Sequence, residues 1–228
     1  MERHLDTGLR ELKQKLLGMG GFVERMIEHA TDALQAGDLD ILATVHELEK
    51  TVNRAHMAID TDCIQLLALQ QPLAADLRLI VAVLKINTDL ERMGDQAVNI
   101  AYNAERYLKG APLGPMPELS EMSAETRVMV REALDSFVRI DEKLARAVLK
   151  RDDIVDAFKN KIFRDLLDRI KKTPNEIEPG LNLILIARNL ERIGDHATNI
   201  AEDVIYAISG DDVRHAGRPD AVKGVLKP

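Results

Sequence analysis

Leu90-Glu91-Arg92-Met93-Gly94-Asp95-Gln96-Ala97-Val98-Asn99-Ile100-Ala101 recurs one hundred positions later as Leu190-Glu191-Arg192-Ile193-Gly194-Asp195-His196-Ala197-Thr198-Asn199-Ile200-Ala201, with Glu, Arg, Gly, Asp and Asn in the same places. Residues four apart on a helix lie one above the other, so Glu91, Asp95 and Asn99 form one polar stripe and Glu191, Asp195 and Asn199 another. Leu90, Met93, Ala97, Ile100 and Ala101 fall at core spacing on a different face, which predicts carboxylates pointing toward solvent. Like charges at i,i+4 cost a helix roughly 0.2–0.5 kcal/mol, and the mid-helix glycine adds about 1 kcal/mol against alanine. An arrangement that is locally unfavourable, yet present twice, points to a site. Hard cations take such oxygen ligands in preference to sulfur or imidazole. The plainer alternative is an ordinary solvated face, with Arg92 bridging to Asp95 and Gly94 and Gly194 admitting a neighbouring helix.

The repeat extends beyond the motif. Val52-Asn53 aligns with Val155-Asp156 at an offset of 103, and the same offset pairs Asp38 with Asp141, Val45 with Val148 and Ile59 with Ile162. It also matches Glu49 and Asn53 with Asp152 and Asp156, a second polar pair at i,i+4. Taken alone this pair reads as the polar rim of an amphipathic helix; lying on the helix that must pack beside the motif helix, it can also face the motif stripe across a groove, giving each half four oxygen ligands.

Composition gives the fold class. Hydrophobic residues make up 46% of the 228, enough for a core, but aromatics are only 3% with no tryptophan, and Leu, Ala and Ile suit helix bundles better than sheets. The expectation is an all-α chain, a tandem repeat of two three-helix bundles. Apolar residues at helical spacing predict helices over 7–36, 39–70 and 74–108, although Gly18, Gly20 and Gly21 weaken the first. Gly37-Asp38 reads as a helix stop followed by an N-cap. The third helix is apolar on nearly every side over 77–84, which predicts that its beginning is buried and that it emerges later. Pro112, Pro115 and Pro117 make a linker. Beyond it the plan repeats: a helix over 118–139, a turn at Ile140-Asp141, a helix to Lys172, a turn from Pro174 to Pro179 and a helix to Ser209. The predicted organisation is a first bundle over 1–110, a linker over 111–117, a second bundle over 118–210 and a tail over 211–228.

Net charge of -7 disfavours nucleic acid as a partner, since that grip comes from cationic surface. A single cysteine, Cys63, allows no intrachain disulfide and suits a reducing compartment. The N-terminal stretch lacks the apolar core of a signal peptide, and no apolar run approaches the roughly 18 residues of a membrane span. The expected location is the cytoplasm. No catalytic residue is assigned: carboxylate-bridged di-metal enzymes use Glu-x-x-His on inward faces, and the chain contains none. A helical scaffold without metal stays open as an alternative.

In combination, the two Leu-Glu-Arg-x-Gly-Asp stretches, Met19-Gly20-Gly21, Glu49-Lys50-x-Val52-Asn53, Gln71-Pro72, Asp76-Leu77-Arg78-Leu79 and Val213-Arg214-His215 resemble the PhoU family, the accessory and regulatory proteins of bacterial high-affinity phosphate uptake. The resemblance implies a dimer of tandem three-helix bundles. It also implies multinuclear metal clusters, with iron the best-known occupant, on paired Glu/Asp-x-x-x-Asp motifs. Carried over by position, these are Glu49, Asn53, Glu91 and Asp95 in one half and Asp152, Asp156, Glu191 and Asp195 in the other. Asn53 departs from the family's commoner Asp and lowers the charge of the first cluster. The implied role is an adaptor between the phosphate ABC transporter ATPase subunit and the phosphate-sensing histidine kinase, reaching the membrane only through these partners and keeping the kinase silent when phosphate is plentiful.

Overall fold

The computed structural model describes residues 4–73, 75–210 and 213. Among them are six α-helices: α1 (His4–Ala36), α2 (Asp40–Gln70), α3 (Ala75–Lys109), α4 (Pro117–Arg139), α5 (Glu142–Lys172) and α6 (Ile177–Ser209). A 3-10 turn at Pro174–Glu176 precedes α6. Apart from Val213, the predicted tail over 211–228 lies outside the described residues, as do Arg214 and His215.

Helix ends follow local chemistry. Gly37 ends α1 in the left-handed region, φ 66°, and the Asp38 carboxylate accepts the Asp40 backbone N–H at 2.8 Å. Asp141 repeats the cap, accepting from the N–H of Lys143 and Leu144. The linker runs over 110–116, one residue earlier than the predicted 111–117, because α3 ends at Lys109 and Pro117 opens α4. Its missing N–H would be unpaired there in any case. Inside the linker the Tyr107 hydroxyl accepts from Leu113 N–H at 2.8 Å and donates to the Gly114 carbonyl at 3.3 Å. Pro179 does not belong to a turn as predicted. It sits in the first turn of α6, where no intrahelical N–H bond is forfeited.

α1 remains helical through its glycines because Leu12, Leu16, Met19, Val23, Met26 and Ile27 are buried almost completely. Each such side chain contributes about 1.5–3 kcal/mol, which outweighs about 1 kcal/mol per glycine. Gly20 has a specific reason: a Cβ there would lie 2.1 Å from Leu134 Cδ1 of α4. It is at Gly20 that the two halves approach most closely through a missing side chain. At Gly94, by contrast, a Cβ would meet Val52 Cγ1 at 3.4 Å, at the edge of ordinary contact.

The halves pack as an antiparallel pair. Lys85 near the start of α3 bonds to Asp203 near the end of α6 at 2.9 Å, and Arg106 near the end of α3 approaches Glu178 at the start of α6 at 3.5 Å. The α3–α6 contact is the most extensive between any two helices. α1 and α4 meet beside it, tied by Glu28–Arg127 at 2.6 Å and by Glu24–Arg131. α2 flanks α1 and α3, α5 flanks α4 and α6, and one hydrophobic core runs through both halves.

The expectation that α3 is buried at its beginning holds for one face only. Leu77 and Val81 are 42% and 37% exposed, and Ile177, Leu181 and Leu185 of α6 are exposed likewise. Ile80, Ala82, Val83 and Ile86, like Leu183, Ile186 and Ala187 of α6, are buried in line with Leu90, Met93, Ala97 and Ile100, and only the apolar surplus beyond that face forms an outer stripe.

Candidate functional site

In the second half, α5 presents Asp152 and Asp156 one turn apart, and α6 presents Glu191 and Asp195 beside them. Gly194 lies against α5, where a Cβ would stand 3.5 Å from Asp152 Oδ1 and from Val155 Cγ1, at ordinary contact distance. Lys159 reaches into the groove from α5, donating to Asp156 Oδ1 at 3.1 Å and to Glu191 Oε1 at 3.0 Å. Burial, reinforced by the charges of Asp195, Asp156, Asp153 and Glu191, pushes the Asp152 carboxyl up to about 6. Asp195 is raised by burial, then by Glu191 and Asp156, against opposition from His196 and Lys159. The groove therefore holds more negative charge than its own lysine neutralises. Glu191 is only 21% exposed and Asp152 is partly buried, whereas Asp195 and the Asp156 side chain, 47% exposed, face solvent as the sequence predicts.

The first half has the same frame with different chemistry. Val52 of α2 meets Gly94 of α3. Asn53 Nδ2 donates to Glu49 Oε1 at 3.4 Å along α2, while Arg92 lies 3.6 Å from both Glu91 and Asp95 along α3. His56 takes the place of Lys159 in the repeat, and its ring approaches Asp60 at 3.5 Å and the Asn87 carbonyl at 3.4 Å. The carboxylate count is thus three, Glu49, Glu91 and Asp95, against four.

The two asparagines assigned to these stripes do not join the grooves through any contact the structure contains. Asn99 is exposed, with its carbonyl accepting from Asn103 Nδ2 at 2.7 Å. Asn199 turns across the seam between halves and donates to Asp89 Oδ1 at 3.4 Å, the same oxygen that His196 Nδ1 meets at 2.8 Å. Sequence reasoning missed Asp89. Its signal is a paired change between the copies: where the first has Asp89 and Gln96, the second has Asn189 and His196. That pairing carries meaning only once α3 and α6 are known to be antiparallel.

Among the described residues no three His, Cys, Asp or Glu side chains are gathered at metal-holding distance. In the second groove two of the four carboxylates instead face the Lys159 ammonium. The donor set nonetheless fits a hard cation, since all ligands are oxygen, negative charge is in excess, and a cation is already seated among them.

A duplicated three-helix unit with an acidic cleft between the second and third helix of each copy defines the class. The family profile described as PhoU domain matches residues 16–104 and 119–204. The phosphate-specific transport system accessory protein PhoU homolog of Pseudomonas aeruginosa is 39% identical over 219 residues, covering 95% of this chain and 90% of that one. The phosphate-specific transport system accessory protein PhoU of Serratia marcescens is 33% identical, covering 96% and 89%. The crystal structure of PhoU from P. aeruginosa superposes with a TM-score of 0.87 at 38% identity, covering 91% of this chain and all of that one. The phosphate transport system regulatory protein PhoU from Streptococcus pneumoniae gives 0.86 at 28% identity, covering 92% of this chain and 99% of that one. The chain belongs to the PhoU family. No helix among the described residues is long and apolar enough to cross a membrane.

Proposed function

We propose that this protein is a non-catalytic cytoplasmic regulator of phosphate uptake that represses the phosphate-starvation response, acting as a metal-binding adaptor between the phosphate transporter's ATPase subunit and the sensor histidine kinase. The observation that carries the reading is near full-length likeness, at 33–39% identity, to proteins named for the phosphate-specific transport system. Glu49, Asn53, Glu91 and Asp95 are the first metal groove, and Asp152, Asp156, Glu191 and Asp195 the second, with iron or a similar hard cation as occupant. A cation there would offset the crowding of like charges. The apolar stripes Leu77–Val81 on α3 and Ile177–Leu181–Leu185 on α6 suit contact with other proteins, including a second copy in a homodimer.

Deleting the gene should raise phosphate-starvation gene expression in phosphate-rich medium, and the purified protein should retain the ATPase subunit or the kinase's cytoplasmic domains in a pull-down. Normal repression in the deletion strain with neither partner retained overturns the adaptor reading. A metal-free scaffold is the second reading, favoured by the absence of converging ligands among the described residues. Elemental analysis of protein purified without a histidine tag separates the two.

A further inference from the structure

We propose that Lys159 is a resident counter-cation of the second groove that a metal ion must displace, so that the two grooves of this chain bind metal unequally and Lys159 sets the difference. The inference rests on the metal-binding reading above. It begins from the position of the ammonium, 3.1 Å from Asp156 on α5 and 3.0 Å from Glu191 on α6, with the lysine side chain 28% exposed. These are charge-assisted hydrogen bonds to one oxygen from each wall of the cleft. A hard cation needs several oxygens turned toward it at about 2.0–2.6 Å. Here two of the four carboxylates are turned toward an ammonium and so are engaged before any metal arrives.

The first groove has no equivalent plug. His56 stands at the repeat position and faces Asp60 and the Asn87 carbonyl. Its nearby cation, Arg92, is 59% exposed and lies 3.6 Å from Glu91 and Asp95, too far for a direct hydrogen bond. Counting carboxylates ranks the second groove above the first. Lys159 cancels one of its four charges and also occupies two of its ligands. Its flexible four-carbon stem lets the ammonium swing out toward water, so the second groove can open without rearranging its helices.

The test is Mn2+ titration of the full-length protein at fixed pH, with free ion followed by electron paramagnetic resonance and folding by circular dichroism. In a background carrying Glu91→Gln and Asp95→Asn, which silences the first groove, Lys159→Met should tighten Mn2+ binding by about tenfold or more, the effect expected from removing a unit charge within about 4–6 Å. Lys159→Arg, which keeps the charge, should bind as weakly as Lys159. In a background carrying Glu191→Gln and Asp195→Asn, Lys159→Met should leave the first groove's affinity unchanged. Lys159→Gln replaces Met should the latter disturb folding. Equal affinity with Lys and Met at position 159 overturns the proposal and leaves the metal reading standing. Tightening of the first groove as well overturns it in favour of a general charge effect. No Mn2+ binding in any variant overturns both.

Discussion

Gly37 and Ile140 hold the same place in the two copies of the repeat, and both are left-handed, with φ 66° and φ 56°. The backbone path between the first two helices of each half has been kept although the glycine that makes it easy has not. A left-handed residue costs glycine little, whereas a β-branched side chain is strained there by about 1–3 kcal/mol. Ile140 offers limited compensation, being 41% exposed. Ile140→Gly should therefore stabilise the protein by about 0.5–1 kcal/mol, the strain relief being reduced by the greater freedom of glycine in the unfolded chain. Urea unfolding at neutral pH measures it, and a loss of stability would show that the isoleucine contacts outweigh the strain.

Two glycines separate packing from propensity. Gly20→Ala places a methyl 2.1 Å from Leu134 Cδ1, and Leu134 is itself 97% removed from solvent at 3% exposure. Overpacking of this kind costs about 1–3 kcal/mol. Gly94→Ala meets Val52 Cγ1 at 3.4 Å and Met26 Cε at 3.9 Å, so helix propensity dominates and the change should stabilise by up to about 1 kcal/mol. Measured midpoints in the same denaturant series should move in opposite directions.

The six helices were legible because proline, glycine and apolar period agree along this chain. The misses have physical causes. Pro179 reads as a breaker from sequence, yet the first turn of a helix has no N–H bond for it to break. Leu77 and Val81 read as buried because hydropathy alone cannot distinguish the core face of a helix, here Ile80 and Val83, from an apolar stripe left on its surface. The carboxylates of both grooves were visible from their i,i+4 spacing. Lys159 was not: three residues from Asp156 it resembles an ordinary surface pair, and its bond to Glu191 exists only through the packing of α5 on α6. Asn199 illustrates the reverse, since helical spacing aligned it with Glu191 and Asp195 while the antiparallel seam drew it to Asp89.

Asp152 makes metal-free stability depend on pH. Its folded pKa of about 6 lies above the ordinary 3.8, and Asp195 is shifted in the same direction. Because the folded state binds the Asp152 proton more tightly, its contribution is fully present below about 3.8 and is lost as pH rises through about 6, and the upward shift of Asp195 acts in the same sense. Allowing for partial exposure, the effect is about 1 kcal/mol. Asp152→Asn should stabilise metal-free protein at pH 7 by that amount and flatten its stability profile between pH 4 and pH 7, as read by thermal unfolding in the presence of chelator. An unchanged profile would mean that water or Lys159 already neutralises the crowding.

Glu91 and Asp95 provide the direct test of the first groove. They share Arg92 at 3.6 Å, a long and exposed contact whose loss costs little. Their mutual repulsion at i,i+4 is worth about 0.2–0.5 kcal/mol, so replacing both by alanine should leave metal-free stability unchanged or slightly raised. Metal is another matter, because Glu49 and Asn53 remain as one carboxylate and one neutral amide, too few oxygens for a hard cation that takes about six. The doubly substituted protein should lose binding at the first groove and keep it at the second, giving about half the metal content of the unaltered protein when both grooves are saturated. Full content in the variant would mean that the first-half metal lies elsewhere than between α2 and α3.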